Sequence, residues 1–233
     1  MSVAGAAAGA AAQKAQELAL IAALKRGKSK EQQKVIDFFF HVNDSKGCGC
    51  GGSGKGLSMA EYMKMVQDKC NSFNSKARAI EKIALDESQI QEIPPILLAS
   101  FDYGDDAYVR VDNRVPASSK YTISWIFFSA EQIFTWTYTF DMTSDNVVET
   151  TRDFFYKDIT CLRTSHKIKE NICAGAASGC LSSKETWIRD HLVIDVFEIV
   201  VPGTEFTIYM RDQQNVEQSI QAAKAMFREK KFN

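Results

Sequence analysis

The sequence predicts an α+β protein with a helical first part and an antiparallel, β-rich second part. Between residues 13 and 93, apolar side chains recur at three- and four-residue steps, the spacing of amphipathic helices. From Ile96 onward the period changes to two, the spacing of β-strands. The last segment, about residues 215–230, returns to helical spacing. We therefore expect an antiparallel β-barrel or sandwich that follows a helical region and is closed by a C-terminal helix.

The helices of the first part are predicted from their start signals. Residues 1–12 are rich in alanine, and we expect them to be a flexible tail before a first helix. Ser29 and Gln32 have the spacing of a capping box, in which each side chain bonds the backbone of the other residue, and predict the start of a second helix. Ser58 and Glu61 predict a third helix in the same way.

Two features divide the chain into regions. The glycine-rich run 47–56 forms a predicted loop between the second and third helices. A fourth helix is predicted at Ser75–Leu85, and Pro94 and Pro95 then end the helical pattern, because proline disfavours helix in the residue before it. We place the boundary there, so that residues 13–95 form a helical region and residues 96–233 form a β domain that folds alone.

The strands of the second part are predicted from alternation and from the turn residues between them. The clearest is the stretch of alternating aromatic residues and threonines that ends at Phe140, in which the aromatic side chains share one face. Residues 170–185 are predicted to form a long loop. The eight predicted strands are Ile96–Tyr103, Ala107–Asp112, Lys120–Phe128, Gln132–Asp141, Val147–Phe155, Ile159–Ser165, Trp187–Val200 and Glu205–Arg211.

The C-terminal helix has one apolar stripe, made by Val216, Ile220, Ala223 and Phe227. A lone helix of this length is marginally stable in water unless it covers an apolar surface. We expect the stripe to close one end of the β domain, against the aromatic face of the clearest strand or against an adjacent strand.

Two local patterns resemble the bacterial pleckstrin-homology-like domains. The run Phe154–Ile159 is similar to the Tyr-x-Asp-Ile strand start of those domains, and Phe206–Met210 leads into the helix at Val216–Arg228 as their last strand does. The resemblance covers about residues 120–231 and extends to 96–231 if all eight strands belong to one domain. It implies a barrel closed by a helix, and a binding, membrane-associated or assembly module rather than an enzyme.

Bulk properties exclude several classes of partner. A formal charge of −1 gives no long-range field with which to attract nucleic acid. No segment approaches the 18 or so apolar residues that an integral membrane helix needs. The start of the chain has no basic segment before its alanines, so we expect no secretory signal and a cytoplasmic location.

The cysteines and histidines suggest a weak metal-site hypothesis. Cys48 and Cys50 lie closer together than the C-x₂₋₄-C pairs that structural zinc prefers. His166, Cys173 and Cys180 recur at seven-residue steps in or beside the long loop. We assign no metal and no cofactor, and we keep as the alternative a metal- or redox-responsive protein that uses these loop residues.

A second alternative is a degenerate nucleotide-binding loop. The run Gly49–Gly56 fits G-x-x-x-x-G-K at Lys55, but it ends in Gly56 where a phosphate-binding loop has the Ser or Thr that binds Mg²⁺. The preceding segment is predicted to be helical, whereas the motif requires a strand there. We therefore interpret the run as a linker.

No arrangement of nucleophile and base is recognisable, so we predict no catalytic residues and no enzyme activity. The function that the sequence favours is a non-catalytic cytoplasmic module whose partner is a protein. Neither the partner nor the packing of the helical region on the β domain can be deduced from the sequence.

Overall fold

The computed structural model of this chain describes residues 15–16, 18–40, 56–86, 93–112, 115–169, 192–210 and 214–232. The helices in these ranges are α1 (residues 18–25), α2 (Lys30–Phe39), α3 (Met59–Asn71), α4 (Ser75–Ile83) and α5 (Gln214–Phe232). The strands are β1 (Ile96–Asp102), β2 (Val109–Asp112), β3 (Val115–Ser118), β4 (Lys120–Phe128), β5 (Gln132–Asp141), β6 (Val147–Phe155), β7 (Cys161–Lys169), β8 (Leu192–Val201) and β9 (Thr204–Met210). A 3-10 turn, Tyr156–Asp158, precedes β7.

Both predicted capping boxes are present. The Gln32 amide donates a hydrogen bond to the Ser29 hydroxyl at 3.1 Å, and the Ser29 amide donates one to the Gln32 side chain at 2.9 Å. The Glu61 amide bonds the Ser58 hydroxyl at 3.3 Å, and the Ser58 amide bonds the Glu61 carboxylate at 2.8 Å. α2 and α3 therefore begin where the sequence predicts, because the orphan N–H groups of their first turns are satisfied locally.

The described strands form three antiparallel sheets. Sheet 1 has the order β1-β4-β5-β6, sheet 2 has the order β7-β8-β9, and β2 and β3 form a separate hairpin. β9 of sheet 2 contacts β1 of sheet 1. The predicted α+β class and the C-terminal helix are confirmed, but the described strands do not close into a single barrel.

α2, α3 and α4 cover the aromatic face of sheet 1. The Tyr62 ring of α3 lies between the Phe38 ring of α2, with ring centres 4.8 Å apart, and the Phe101 ring of β1, at 6.1 Å. The buried Tyr62 hydroxyl donates a hydrogen bond to the Ser118 carbonyl at 2.5 Å. We call this set of residues the helix–sheet cluster; its largest members are Phe38, Phe39, Tyr62, Phe101, Tyr121, Phe127, Phe134, Trp136 and Phe140.

α5 packs in a different place, between the two sheets. Its predicted stripe is buried at Ile220, Ala223 and Phe227, and Val216 packs at the edge. The Phe154 ring of sheet 1 lies 5.9 Å from the Phe206 ring of sheet 2, which joins the sheets. Of the two expected positions of α5, the aromatic face of β5 is wrong, because α2–α4 cover that face; α5 instead contacts β1. We call the second set the inter-sheet cluster; it includes Ile126, Phe128, Ile133, Phe154, Phe197, Ile199, Phe206, Ile208, Ile220 and Phe227.

The helical region and the β-rich part share the helix–sheet cluster. The sequence left their packing open, and the structure shows that the helices lie directly on sheet 1. The boundary at residue 95 stays a prediction, but a shared core argues against separate folding of residues 96–233.

One strand, β3, is not among those that the sequence predicts. It contains Pro116, and a proline inside a short run usually argues against a strand because it cannot donate a hydrogen bond to its neighbour. Here Pro116 pairs with Val111 in a two-stranded hairpin, a setting that tolerates the missing N–H.

None of the helices in the described parts of the chain combines the length and the apolar character that crossing a membrane requires.

Candidate binding surfaces

Most of the candidate metal and nucleotide residues lie outside the described residues. These are Cys48, Cys50, Lys55, Cys173 and Cys180. The metal- or redox-responsive alternative and the nucleotide-binding alternative therefore stay predictions.

His166, the remaining metal candidate, is described, and it contacts a carboxylate. Its Nδ1 atom lies against the carboxylate of Asp195, which is directly opposite it on β8. Both side chains are well exposed, at 74% and 42%. No group of three or more potential metal ligands occurs among the described residues. The exposed pair of His166 and Asp195 is a surface contact across two strands, and the pair itself contains no hydroxyl or thiol nucleophile.

The face of sheet 1 opposite the aromatic residues is lined with hydroxyl groups over half its length. Thr122 and Thr139 form a hydroxyl–hydroxyl hydrogen bond at 2.8 Å, and Ser124 and Thr137 form one at 3.2 Å. Ser124 has no exposed surface, although a strand that alternates aromatic residues with threonines predicts a polar, solvated side. The hydroxyl groups are tolerated there because they pair across the strands.

A cavity of about 230 Å³ lies between β1, β3, β8 and α3. Ser100, Tyr103 and Asp195 are among its polar residues, and most of the rest of its lining is apolar, including Met63 and Met210. The cavity is half open and carries no convergent set of charged groups, so its shape and chemistry do not identify a ligand class.

Sheet 2 has a buried carboxylate, Glu198, held by an ion-pair network. The Arg163 guanidinium lies 2.6 Å from one carboxylate oxygen, the Ser165 hydroxyl donates to the same oxygen at 2.9 Å, and the Lys167 ammonium lies 3.1 Å from the other oxygen. Burial raises the pKa of the Glu198 carboxyl, but these three donors outweigh burial and lower the pKa to about 2. Both cations also contact Glu205, so the network ties β7 to β8 and β9.

We expect Glu198 to make folding stability depend on acid pH. Its pKa falls from 4.5 to about 2 on folding, so its contribution is complete above pH 4.5 and is lost as pH falls toward 2. The free energy of unfolding should therefore fall by about 2 kcal/mol between pH 7 and pH 3 because of this group. Urea unfolding of the natural chain and of Glu198→Gln at both pH values measures this change. If the difference in stability between the two chains is the same at pH 7 and at pH 3, the assignment is contradicted.

A second charged group fixes α4 on sheet 1. Arg78 of α4 donates two hydrogen bonds to the Glu149 carboxylate of β6, at 2.9 and 2.7 Å, and the Trp136 indole N–H donates to Glu149 at 2.8 Å. The Arg78 guanidinium also lies over the Tyr138 ring, 4.8 Å from its centre. Hydrogen bonding to Arg78 lowers the pKa of Glu149, and the nearby charge of Lys82 acts in the same direction.

In the described part of the chain, β6 is an edge strand of sheet 1. Among the described strands it pairs with β5 alone, in unbroken register over nine residues. The side chains of Val147, Val148 and Phe155 are 44%, 63% and 45% exposed. Edge strands expose unpaired backbone N–H and C=O groups, and proteins usually protect them with lysine, proline or a bulge. β6 contains no lysine or proline, and its pairing with β5 shows no bulge.

The other long edge strand, β7, is different. It is the edge of sheet 2 and carries Arg163, Lys167 and Lys169 in nine residues. These cations are a common protection against pairing with another chain. β6 carries one cation, Arg152, and the two carboxylates Glu149 and Asp153, so β6 is the less protected of these two edges.

The β6 surface was not identified from the sequence, although the bounds of β6 were predicted correctly. Alternation of apolar and polar residues shows that a segment is a strand. The order of strands in a sheet, however, is set by contacts between distant segments. The only local signal is the lack of lysine and proline in a segment with apolar residues at both ends.

Comparison of the chain with protein-family models, with curated proteins and with solved structures finds no match. The resemblance to pleckstrin-homology-like domains therefore stays a prediction, and the function has to be argued from the structure.

Proposed function

We propose that this protein is a non-catalytic, cytoplasmic binding or assembly module of pleckstrin-homology-like type, and that β6 is the strand to which its protein partner binds. The observation that carries the proposal is the outer edge of β6, which pairs with no other strand among the described residues. An exposed edge binds an extended segment through main-chain hydrogen bonds, and side chains at alternate positions provide the selectivity.

The surroundings of β6 support this role. α4 lies on the neighbouring strand β5 and is fixed by the ion pair between Arg78 and Glu149, so the edge is presented on a rigid support. Exposed apolar side chains occur at both ends of the strand and provide contacts for a partner. An added strand would continue sheet 1 without rearrangement of the four strands already paired.

The charged groups with shifted pKa values support a non-catalytic role. Shifted carboxyl groups often mark catalytic sites, but structural ion pairs shift them too. Glu149 and Glu198 both have a lowered pKa, and each is bound by cations that join elements of the fold. Their charges are used to hold α4 and sheet 2 in place.

A displayed library of random nine-residue peptides, selected on the full chain at about 1 µM or below, tests the proposal. We expect selected peptides to bind the natural chain and to bind Val148→Lys at least about tenfold more weakly, because a lysine on an edge opposes strand addition. Leu20→Lys is the matched control, since Leu20 is a similarly exposed apolar residue on α1. Peptides that bind all three chains equally well, or a failure to select any peptide, would overturn the proposal.

A further inference from the structure

The sequence of β6 is nearly symmetric about its central residue, Thr151. Reading outward from Thr151, the strand has Thr150 and Arg152, then two acidic residues, and then two apolar residues at each end. An antiparallel pair of identical strands related by a two-fold axis through Thr151 would place each residue opposite its symmetric counterpart. The pairs would be Val147 with Phe155, Val148 with Phe154, Glu149 with Asp153, Thr150 with Arg152, and Thr151 with itself.

We propose that the strand added to β6 is β6 of a second copy of this chain, in this register. The inference rests on the proposed function and names its partner. The dimer would join two copies of sheet 1 into one antiparallel sheet of eight strands. Pairing of identical edges closes the assembly, so neither copy keeps a free β6 edge on which further copies could add.

The exposed apolar side chains select this register. With the axis at Thr151, Val147 of each copy faces the Phe155 ring of the other, so both exposed side chains gain an apolar neighbour. With the axis one residue away, the register shifts by two residues and apolar residues face charged or polar ones. An axis at Thr150 sets Val147 against Asp153, and an axis at Arg152 sets Glu149 against Phe155. Shifts of one residue are excluded because they place paired side chains on opposite faces of the sheet.

The charges around Glu149 are compatible with the pairing. Glu149 and Asp153 would lie opposite each other, which is unfavourable for two isolated carboxylates. Arg78 already lies on Glu149 on the helix-covered face of sheet 1, and its side chain is 37% exposed. Asp153 of the second copy would approach this guanidinium on the same face, with Lys82 nearby. Each dimer would contain two such sites, and each would bring an exposed aspartate to an existing cationic group.

Sedimentation equilibrium of the full chain from about 1 µM to 1 mM tests the pairing. One strand from each copy makes a small interface, so we expect a reversible dimer with a Kd of about 10–100 µM. Thr151→Lys places two ammonium groups face to face at the axis, and Thr151→Glu places two carboxylates there. Each variant alone should dimerise at least about tenfold more weakly, and their equimolar mixture should regain dimerisation because lysine then faces glutamate.

The recovery in the mixture distinguishes this register from misfolding of the variants and from dimerisation elsewhere on the surface. Leu20→Lys, a control outside β6, should dimerise as the natural chain does. A natural chain that is monomeric throughout, single variants that dimerise normally, or a mixture that stays monomeric would each overturn the pairing. If the natural chain is monomeric but still selects peptides that depend on Val148, the dimer is refuted and the binding function stands.

Discussion

Residues 96–233, produced without the helical region, are expected not to fold cooperatively. Without α2–α4, the aromatic face of sheet 1 would be open to water at Phe101, Phe127, Phe134, Trp136 and Phe140. Each large side chain moved from a core to water costs about 1.5–3 kcal/mol, so five cost roughly 7–15 kcal/mol. That is comparable with the whole stability of an ordinary domain, roughly 5–15 kcal/mol.

Thermal unfolding of both the shortened and the full chain, monitored by circular dichroism, measures this effect. The shortened chain should show no sharp transition and should bind a hydrophobic dye. Trp136→Ala in the full chain should have a smaller effect than removal of the helices. It removes one fully buried ring and should lower the free energy of unfolding by about 3–5 kcal/mol. A cooperative transition of residues 96–233 near that of the full chain would favour the separate folding that the sequence suggests.

Phe227→Ala is expected to lower the free energy of unfolding by about 3–5 kcal/mol. Phe227 is 7% exposed in the inter-sheet cluster, and its ring centre lies 6.5 Å from that of the buried Tyr156. Its loss leaves a cavity between α5 and the two sheets, which the surrounding side chains can fill only in part. Urea unfolding at neutral pH measures the change.

Gln221→Ala is the matched control for Phe227, since Gln221 lies on the exposed side of the same helix. It should change stability by less than about 0.5 kcal/mol. Equally mild effects of the two substitutions would show that α5 does not support the core. The apolar stripe of α5 would then be available to a partner.

The sequence is most informative where local chemistry decides the structure. β4, β5 and β6 have the predicted bounds because each is a run rich in β-branched and aromatic residues that lies between turn signals. β7 begins two residues later than predicted and extends farther, because the 3-10 turn at Tyr156–Asp158 precedes it. α2 and α3 start at their capping boxes, which need only residues three positions apart.

The sequence is least informative about which element covers which face. The pattern of β5 shows that one side is aromatic, but it does not show whether α5 or the earlier helices lie on that side. The contacts that decide this join distant segments, such as Arg78 with Glu149, which are 71 residues apart. Strand order, and with it the open edge at β6, likewise depends on pairing that local periodicity does not reveal.

The order of elements along the chain has a consequence for synthesis on the ribosome. α3 ends at Asn71, whereas β5, which carries much of the aromatic face that α2–α4 cover, is complete only at Asp141, 70 residues later. At a translation rate of about 5–20 residues per second, this interval lasts roughly 4–14 seconds. During it Phe38, Phe39 and Tyr62 cannot pack against a complete sheet 1. We therefore expect the nascent helical segment to be prone to aggregation in this interval, and slow translation before residue 141 to increase that aggregation.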